Sequence, residues 1–388
     1  MAGYLDILRP QVITQVVRQV VASADPILNF MGFQPGGSNE KSYGHGRSGE
    51  YHIFDDTRKT AKSRAPGTAA GRSSKQGMKA VPFTYPRMHD SYSLLAEFFH
   101  NIGMIGDPRM RDEAGKDMIM RQSANLMQKA ANWRIAMTVG MLRDSLYIQE
   151  EGDDWFPNYT SSGALLQHNF RVPSGNKTTL NMTLRDGSTS IHGAAIIDAY
   201  WNSPGANIVR QFAKINQARS AQGTGPIRHV HCNSLVWNYL INNDSLAAIA
   251  GIANRPFEFY DREVGKRPDG TALHEYRGSF LALPGVTFHV TDEGLELWDA
   301  STDAYVFTKH FPDTMAVMMG DPVGEKYTWY QGSEPIAEYD GGPKSVRTGL
   351  SSWSKAVANP TADELYVLDN GLGVPHDPYD LVIATISA

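Results

Sequence analysis

The sequence has almost no cysteine. Cys232 is the single one in 388 residues, so no intrachain disulfide can form and a disulfide-stapled secreted domain is excluded. Nor does the chain have a basic excess: 36 Lys and Arg stand against 41 Asp and Glu, for a net charge of -5. Without the electrostatic footprint of a high-affinity phosphate-backbone binder, contact with nucleic acid is expected to be local or weak. No run approaches the roughly 20 apolar residues that span a bilayer, so no membrane partner is expected. The first residues meet Arg9 and Pro10 before any uninterrupted apolar stretch, and no secretory signal is read there. The Asn-x-Thr triplets at Asn158, Asn176 and Asn181 are therefore read as chance matches, not glycan sites.

Catalytic motifs are absent too. There is no G-x-x-x-x-G-K, H-E-x-x-H or G-x-S-x-G pattern. Gly44-His-Gly46-Arg-Ser-Gly49 matches the dinucleotide fingerprint in letters only, because that motif needs a strand before it and a helix after it, whereas here polar chain precedes and a strand follows. His229-Val-His231-Cys232 puts two imidazoles on one strand face, but further ligands are missing and Cys232 points the other way, so it reads as a structural strand. Asp55-Asp56 and Asp153-Asp154 have no partner chemistry and read as solvated loop charge. No catalytic, cofactor or metal residue is assigned, and no cofactor is expected.

Charged residues make up 20% and hydrophobic ones 41% of the chain, ordinary globular usage, and the length suggests two to three domains. Val12, Val16, Val17 and Val20 fall at helical spacing; after Asp25-Pro26 come Ile27, Leu28, Phe30, Met31 and Phe33, a hydrophobic latch. From Gln34 to about Arg72 Gly, Ser, Lys and Arg dominate, a composition that cannot bury enough surface to order itself. Glu50–Thr57 within it and Gly77–Tyr85 just beyond it have strand character and read as a long projecting hairpin. Arg58, Lys59, Lys62, Arg64, Arg72, Lys75, Lys79 and Arg87 lie here with no Asp or Glu between them, so the arm needs a partner.

Residues 112–146 form the strongest helical segment, with Ile119, Ser123, Leu126, Ala130, Trp133, Met137 and Met141 three or four apart; its length would be roughly 50 Å. A helix near Ala206–Gln222 ending at Gly223, a strand Ile227–Cys232 and a helix from Ser234 to about Ala250 follow. Short strands come next, at 281–290, 304–308 and 314–319. In the last fifty residues Glu364–Leu368 and Leu381–Ile386 read as strands, with Asn370-Gly371 as a turn between them. The fold class is α+β.

That order, an N-terminal arm, a basic hairpin, a very long helix, an α+β middle and a C-terminal return of strands, resembles the coat proteins of tailed bacteriophages. The segment Gln122–Leu146 looks like the spine helix of the lambda-type capsid family. Pro284-Gly-Val-Thr-Phe-His-Val leading to Phe311-Pro-Asp-Thr-Met-Ala-Val-Met, and Val367-Leu-Asp-Asn-Gly with Tyr379-Asp-Leu-Val-Ile-Ala-Thr, match it as well.

The resemblance covers nearly the whole chain and implies a major capsid protein that is not an enzyme. It implies an N-arm at 1–47, an extended loop at 48–88 lying across a neighbouring subunit, a peripheral domain at 89–205 and 340–388, and an axial domain at 206–339. The partners implied are further copies of the chain as hexamers and pentamers, a portal, a scaffold, a decoration protein as an optional addition, and packaged double-stranded DNA in weak contact. Assembly would take place in the host bacterial cytoplasm, and the product would be the virion capsid. Two other readings stand beside it: an encapsulin-like compartment and an oligomeric α+β enzyme.

Overall fold

The computed structural model describes residues 25–42, 48–54, 78–95, 108–185, 187, 189–250, 257–266, 272–337, 344–358 and 361–387. The helical pattern at 11–23, Gly44, Gly46, Asp55, Asp56 and the basic residues Arg58, Lys59, Lys62, Arg64, Arg72 and Lys75 lie outside them. Within them the chain runs α1 (Pro26–Met31), β1 (Glu40–Ser42), β2 (Ser48–Phe54), β3 (Met78–Thr84), β4 (Arg87–Leu95), the long α2 (Pro108–Leu142), β5 (Leu146–Glu151), β6 (Asp154–Asn158), β7 (Ala164–His168) and β8 (Lys177–Thr178). There follow α3 (Ile208–Gln222), β9 (His229–Cys232), α4 (Ser234–Ile241), α5 (Asp244–Ala250), β10 (Phe257–Lys266), β11 (Ala272–Phe280), β12 (Thr287–Val290), β13 (Gly294–Asp299), β14 (Ala304–Lys309) and β15 (Met315–Met319). The chain closes with β16 (Tyr327–Gln331), β17 (Ser333–Ala337), β18 (Lys344–Thr348), β19 (Ser351–Ala358), β20 (Thr361–Pro375) and β21 (Val382–Thr385). The fold is α+β, as the sequence implies. Among the described residues no helix is long and apolar enough to cross a membrane.

Two sheets organise the body. One holds β1, β16, β20, β19 and β4; the other runs β10-β11-β12-β9-β15-β21-β8. The side-chain period of two along β15 and β21 separates two apolar cores on opposite faces of the second sheet. Val317, Met319, Leu381 and Ile383 enter the core built on α1, α2 and β20. Ala316, Met318, Val382 and Ala384 enter the core built on α3 and α4. The closing strand, grouped by sequence with the peripheral part, thus pairs with β15 inside the middle sheet.

Helix α2 starts four residues before the sequence pattern does and stops four residues sooner. It ends because Asp144 adopts a left-handed conformation (φ 47) and Ser145 N–H closes on the Gly140 carbonyl, which frees Leu146 to start β5. Over 119–132 the helix alternates buried and exposed residues, whereas all of 133–142 is buried. Ile119, Leu126, Trp133, Met137 and Met141 are all buried in the first core.

The most buried charge on α2 is Arg134, which the apolar stripe does not flag. Its Nε and Nη2 donate to the Asp369 carboxylate at 2.5 and 3.1 Å, its Nη1 donates to the Phe33 carbonyl and to Glu40 at 3.0 Å each, and its guanidinium stacks over Trp329. Burial pushes the Arg134 pKa down, but Asp369 and Glu40 outweigh it and hold the group charged.

Three sequence expectations are corrected. Asn370-Gly371 is not a turn: β20 runs through it, because Gly371 lies where any Cβ would collide with the Trp329 indole, while Asn370 donates to Glu334 at 3.1 Å. The segment 234–250 is two helices, since the Asn243 side chain bonds the carbonyls of Pro204 and Ala206. The base of the hairpin at 48–88 does not wait for another chain: β2 pairs with β3, and Tyr51, Ile53, Val81 and Phe83 are buried in this chain's own core.

A second buried charge, Asp380, ties α3 to the two sheets. It accepts from Arg219 at 2.8 Å, Tyr327 at 2.8 Å and Gly320 N–H at 3.2 Å. Replacing Asp380 with Ala strands a fully buried guanidinium, so the unfolding free energy in urea should fall by about 3–5 kcal/mol; a loss under about 1 kcal/mol would contradict this role.

Candidate functional site

Asp25 opens the latch helix. Its backbone is extended and its carboxylate accepts from Ile27 N–H at 2.6 Å; Pro26 occupies the first turn, and Gly32 (φ 66) ends the helix. Ile27, Leu28, Met31 and Phe33 are buried. Phe30 is half-buried at the margin of the same core. It seats on three imidazoles, with ring centroids 4.7 Å from His229, 5.1 Å from His231 and 4.8 Å from His289.

The strand register explains this meeting. His229 and His231 project from the same face of β9, opposite Val230 and Cys232, which enter the second core. Parallel pairing of β9 with β12 sets His289 beside His231, and their rings stack at 4.7 Å. The sequence analysis recognised the two histidines of β9 but not the third, which lies 58 residues further along. Cys232 is buried, and burial pushes its thiol pKa well up.

A hydrogen-bonded chain crosses the cluster. Glu275 meets His289 Nδ1 at 3.1 Å, His289 Nε2 meets His229 Nδ1 at 3.1 Å, and His229 Nε2 meets Asp321 at 3.0 Å. Carboxylates only accept, so both end nitrogens must carry hydrogen, and the central contact needs one more. All three contacts are satisfied together only when the pair carries three protons on its four nitrogens and hence one positive charge; two neutral imidazoles, the form that burial favours, satisfy two of the three. His231 stands outside the chain, with Nε2 buried and without a partner among the described residues.

Burial pushes all three histidines below their usual pKa, His231 furthest because it is wholly enclosed beside His289 and His229. Hydrogen bonds from His289 and Arg277 outweigh burial at Glu275 and hold its carboxyl low. Asp25, Glu293 and His310 bring ligand atoms within 4.8 Å of one another, a metal-compatible set drawn from distant segments that the sequence did not suggest. Each of the three also has other interactions.

Of the hairpin's basic residues, Lys79 lies on β3 with its side chain exposed, and Arg87 on β4 pairs with Glu334 at 3.0 Å. Asn158 and Asn176, two of the three triplet asparagines, are buried in side-chain hydrogen bonds.

No protein-family model matches the sequence, nor does any curated protein. Solved structures are similar to it at low identity. A phage-related protein from Bordetella bronchiseptica is 9% identical over 99% of this chain and 98% of its own, with a TM-score of 0.45. The satellite phage P4 procapsid is 10% identical over 96% and 98%, with a TM-score of 0.40, and the capsid of Ralstonia phage GP4 is 10% identical over 90% and 87%, with a TM-score of 0.41. The last two carry the names of phage shells, the class that the sequence resembles.

A histidine whose folded pKa is depressed contributes stability above its unfolded value near 6.5 and loses it as pH falls below that value. Wholly buried His231 should therefore cost about 1.4 kcal/mol of stability per pH unit below about 6.5. We expect the melting temperature to fall between pH 7 and pH 5, and His231→Phe to flatten that slope; parallel slopes for the two proteins would contradict the assignment.

Proposed function

We propose that this chain is a major capsid protein, which assembles with its own copies into hexamers and pentamers of an icosahedral shell around double-stranded DNA. The observation that carries the reading is how the chain uses its strands. Among the described residues it holds, beside two well-packed cores, three separate two-stranded ribbons, β2–β3, β13–β14 and β17–β18. Each ribbon packs residues against the body, yet its outer edges have no strand partner among the described residues, and such edges suit neighbouring molecules. The anchored base of β2–β3 supports the same reading: a hairpin fixed at its root can carry its basic tip, Arg58 to Lys75, to acidic surface on an adjacent subunit.

In this reading 1–47 is the arm, 48–88 the extended loop, 89–205 with 340–388 the peripheral domain and 206–339 the axial domain, with β21 shared between the last two. Helix α2 is the spine, and Ile27, Leu28, Phe30 and Phe33 fasten the arm. Portal, scaffold and a decoration protein are the other partners, DNA contact is weak and non-specific, and assembly takes place in the bacterial cytoplasm. The activity resides in surfaces, and the reading assigns no catalytic residue and no cofactor.

Negative-stain images and sedimentation of the purified chain test it. Closed shells are expected from the native sequence. Trp133→Ala, which empties a buried site on α2 at a cost of about 3–5 kcal/mol, should yield none. A native chain that remains a small soluble oligomer under all assembly conditions would contradict the reading.

A further inference from the structure

Strand β14 is an unprotected edge. It pairs only with β13 among the described residues, in a two-stranded ribbon. Tyr305, Val306 and Phe307 are 57%, 41% and 59% exposed, and Ala304 is exposed as well. Natural edge strands are guarded by lysine, proline or bulges; the one lysine of β14, Lys309, stands at its end, and Ala304-Tyr-Val-Phe-Thr308 before it has no charge, no proline and an unbroken register with β13.

The register also says which backbone groups face outward. His310 N–H donates to the Glu293 carbonyl at 2.9 Å, so the even residues 304, 306 and 308 bond toward β13, and Tyr305 and Phe307 turn their N–H and C=O groups to the open side. Lys309 closes that edge, since its carbonyl accepts from Arg143 at 3.3 Å.

We propose that the open edge of β14 is a homotypic interface: it pairs antiparallel with β14 of a second copy about a two-fold axis through Val306, joining two ribbons into one four-stranded sheet. Three features select this occupant. In this register Tyr305 lies opposite Phe307 of the partner subunit, and the reciprocal pairs form four backbone hydrogen bonds from groups that are already aimed outward. The side chains then meet as aromatic pairs.

Charge selects the same register. It brings exposed Asp303 at one end beside Lys309 of the partner subunit, and Lys309 beside the partner's Asp303, with no like charges opposed. Lys309 already leans on Asp313 at 2.8 Å, an exposed pair that leaves its ammonium able to serve a second carboxylate. Pairing centred on residue 305 or residue 307 loses these two contacts.

The inference deepens the shell reading, in which copies meet, yet it can fail separately: shells without this contact would leave that reading intact and overturn this one. The test uses the full chain, whose one native cysteine is buried. A non-hydrogen-bonded pair on the axis has Cα atoms about 4.5 Å apart, within disulfide range, so Val306→Cys should give about ten-fold more oxidised dimer than the loop control Ser301→Cys. Dimer yields no greater than the control, or dimers from Tyr305→Cys or Phe307→Cys instead, would overturn the proposal. As a second measurement, Asp303→Lys should weaken self-association about ten-fold, and adding Lys309→Asp should restore it; a double variant no better than the single one counts against the register.

Discussion

Arg134 is the constraint on which the rest depends. One guanidinium with no exposed surface holds the long helix, the end of the latch segment, strand β1 and the middle of β20 together, through Asp369, Glu40 and the Phe33 carbonyl. A buried cation tolerates no vacant partner, because the cost of an unpaired charge exceeds what any neighbouring packing defect would release. The four segments must therefore arrive together or not at all. Their positions in turn decide where Phe33, Trp329 and Gly373 can interlock, and Gly373 has no room for a Cβ beside Phe33.

From that anchor the latch reaches the histidines. Leu28 and Phe33 are fixed by the first core, which leaves Phe30 to cover an imidazole cluster on the facing sheet. The cluster is a polar island on the first-core face of the second sheet, covered by the Phe30 ring and tied at its ends to Glu275 and Asp321. The arm segment is thus held by apolar contact at one end and by a titratable surface at the other.

Much of this was legible in the sequence, for physical reasons that also explain the rest. The stripe Ile119, Leu126, Trp133, Met137 and Met141 signals a packed helix because apolar periodicity survives any tertiary context. Gly223 marks the end of α3 because only glycine adopts its left-handed conformation readily (φ 86). Arg134 was invisible: a charge within an apolar stripe is silent until its partner, 235 residues away, is known. Asn370-Gly371 misleads because glycine serves two needs, turning a chain and letting another group approach, and only Trp329 reveals which applies. Strand β14 shows its β character in sequence, but alternation cannot say that Tyr305, Val306 and Phe307 all stay exposed.

The central claim is that Arg134 makes the latch, β1 and the long helix one cooperative unit. Native-state hydrogen exchange on the Asp369→Asn variant tests it most directly, because the substitution removes charge with little change in shape. The account predicts that amides of the latch, such as Phe33 N–H on the Leu28 carbonyl, lose protection together with those of β1 and the second half of α2. Protection lost only around residue 369, with the latch as slow as in the native chain, would contradict it.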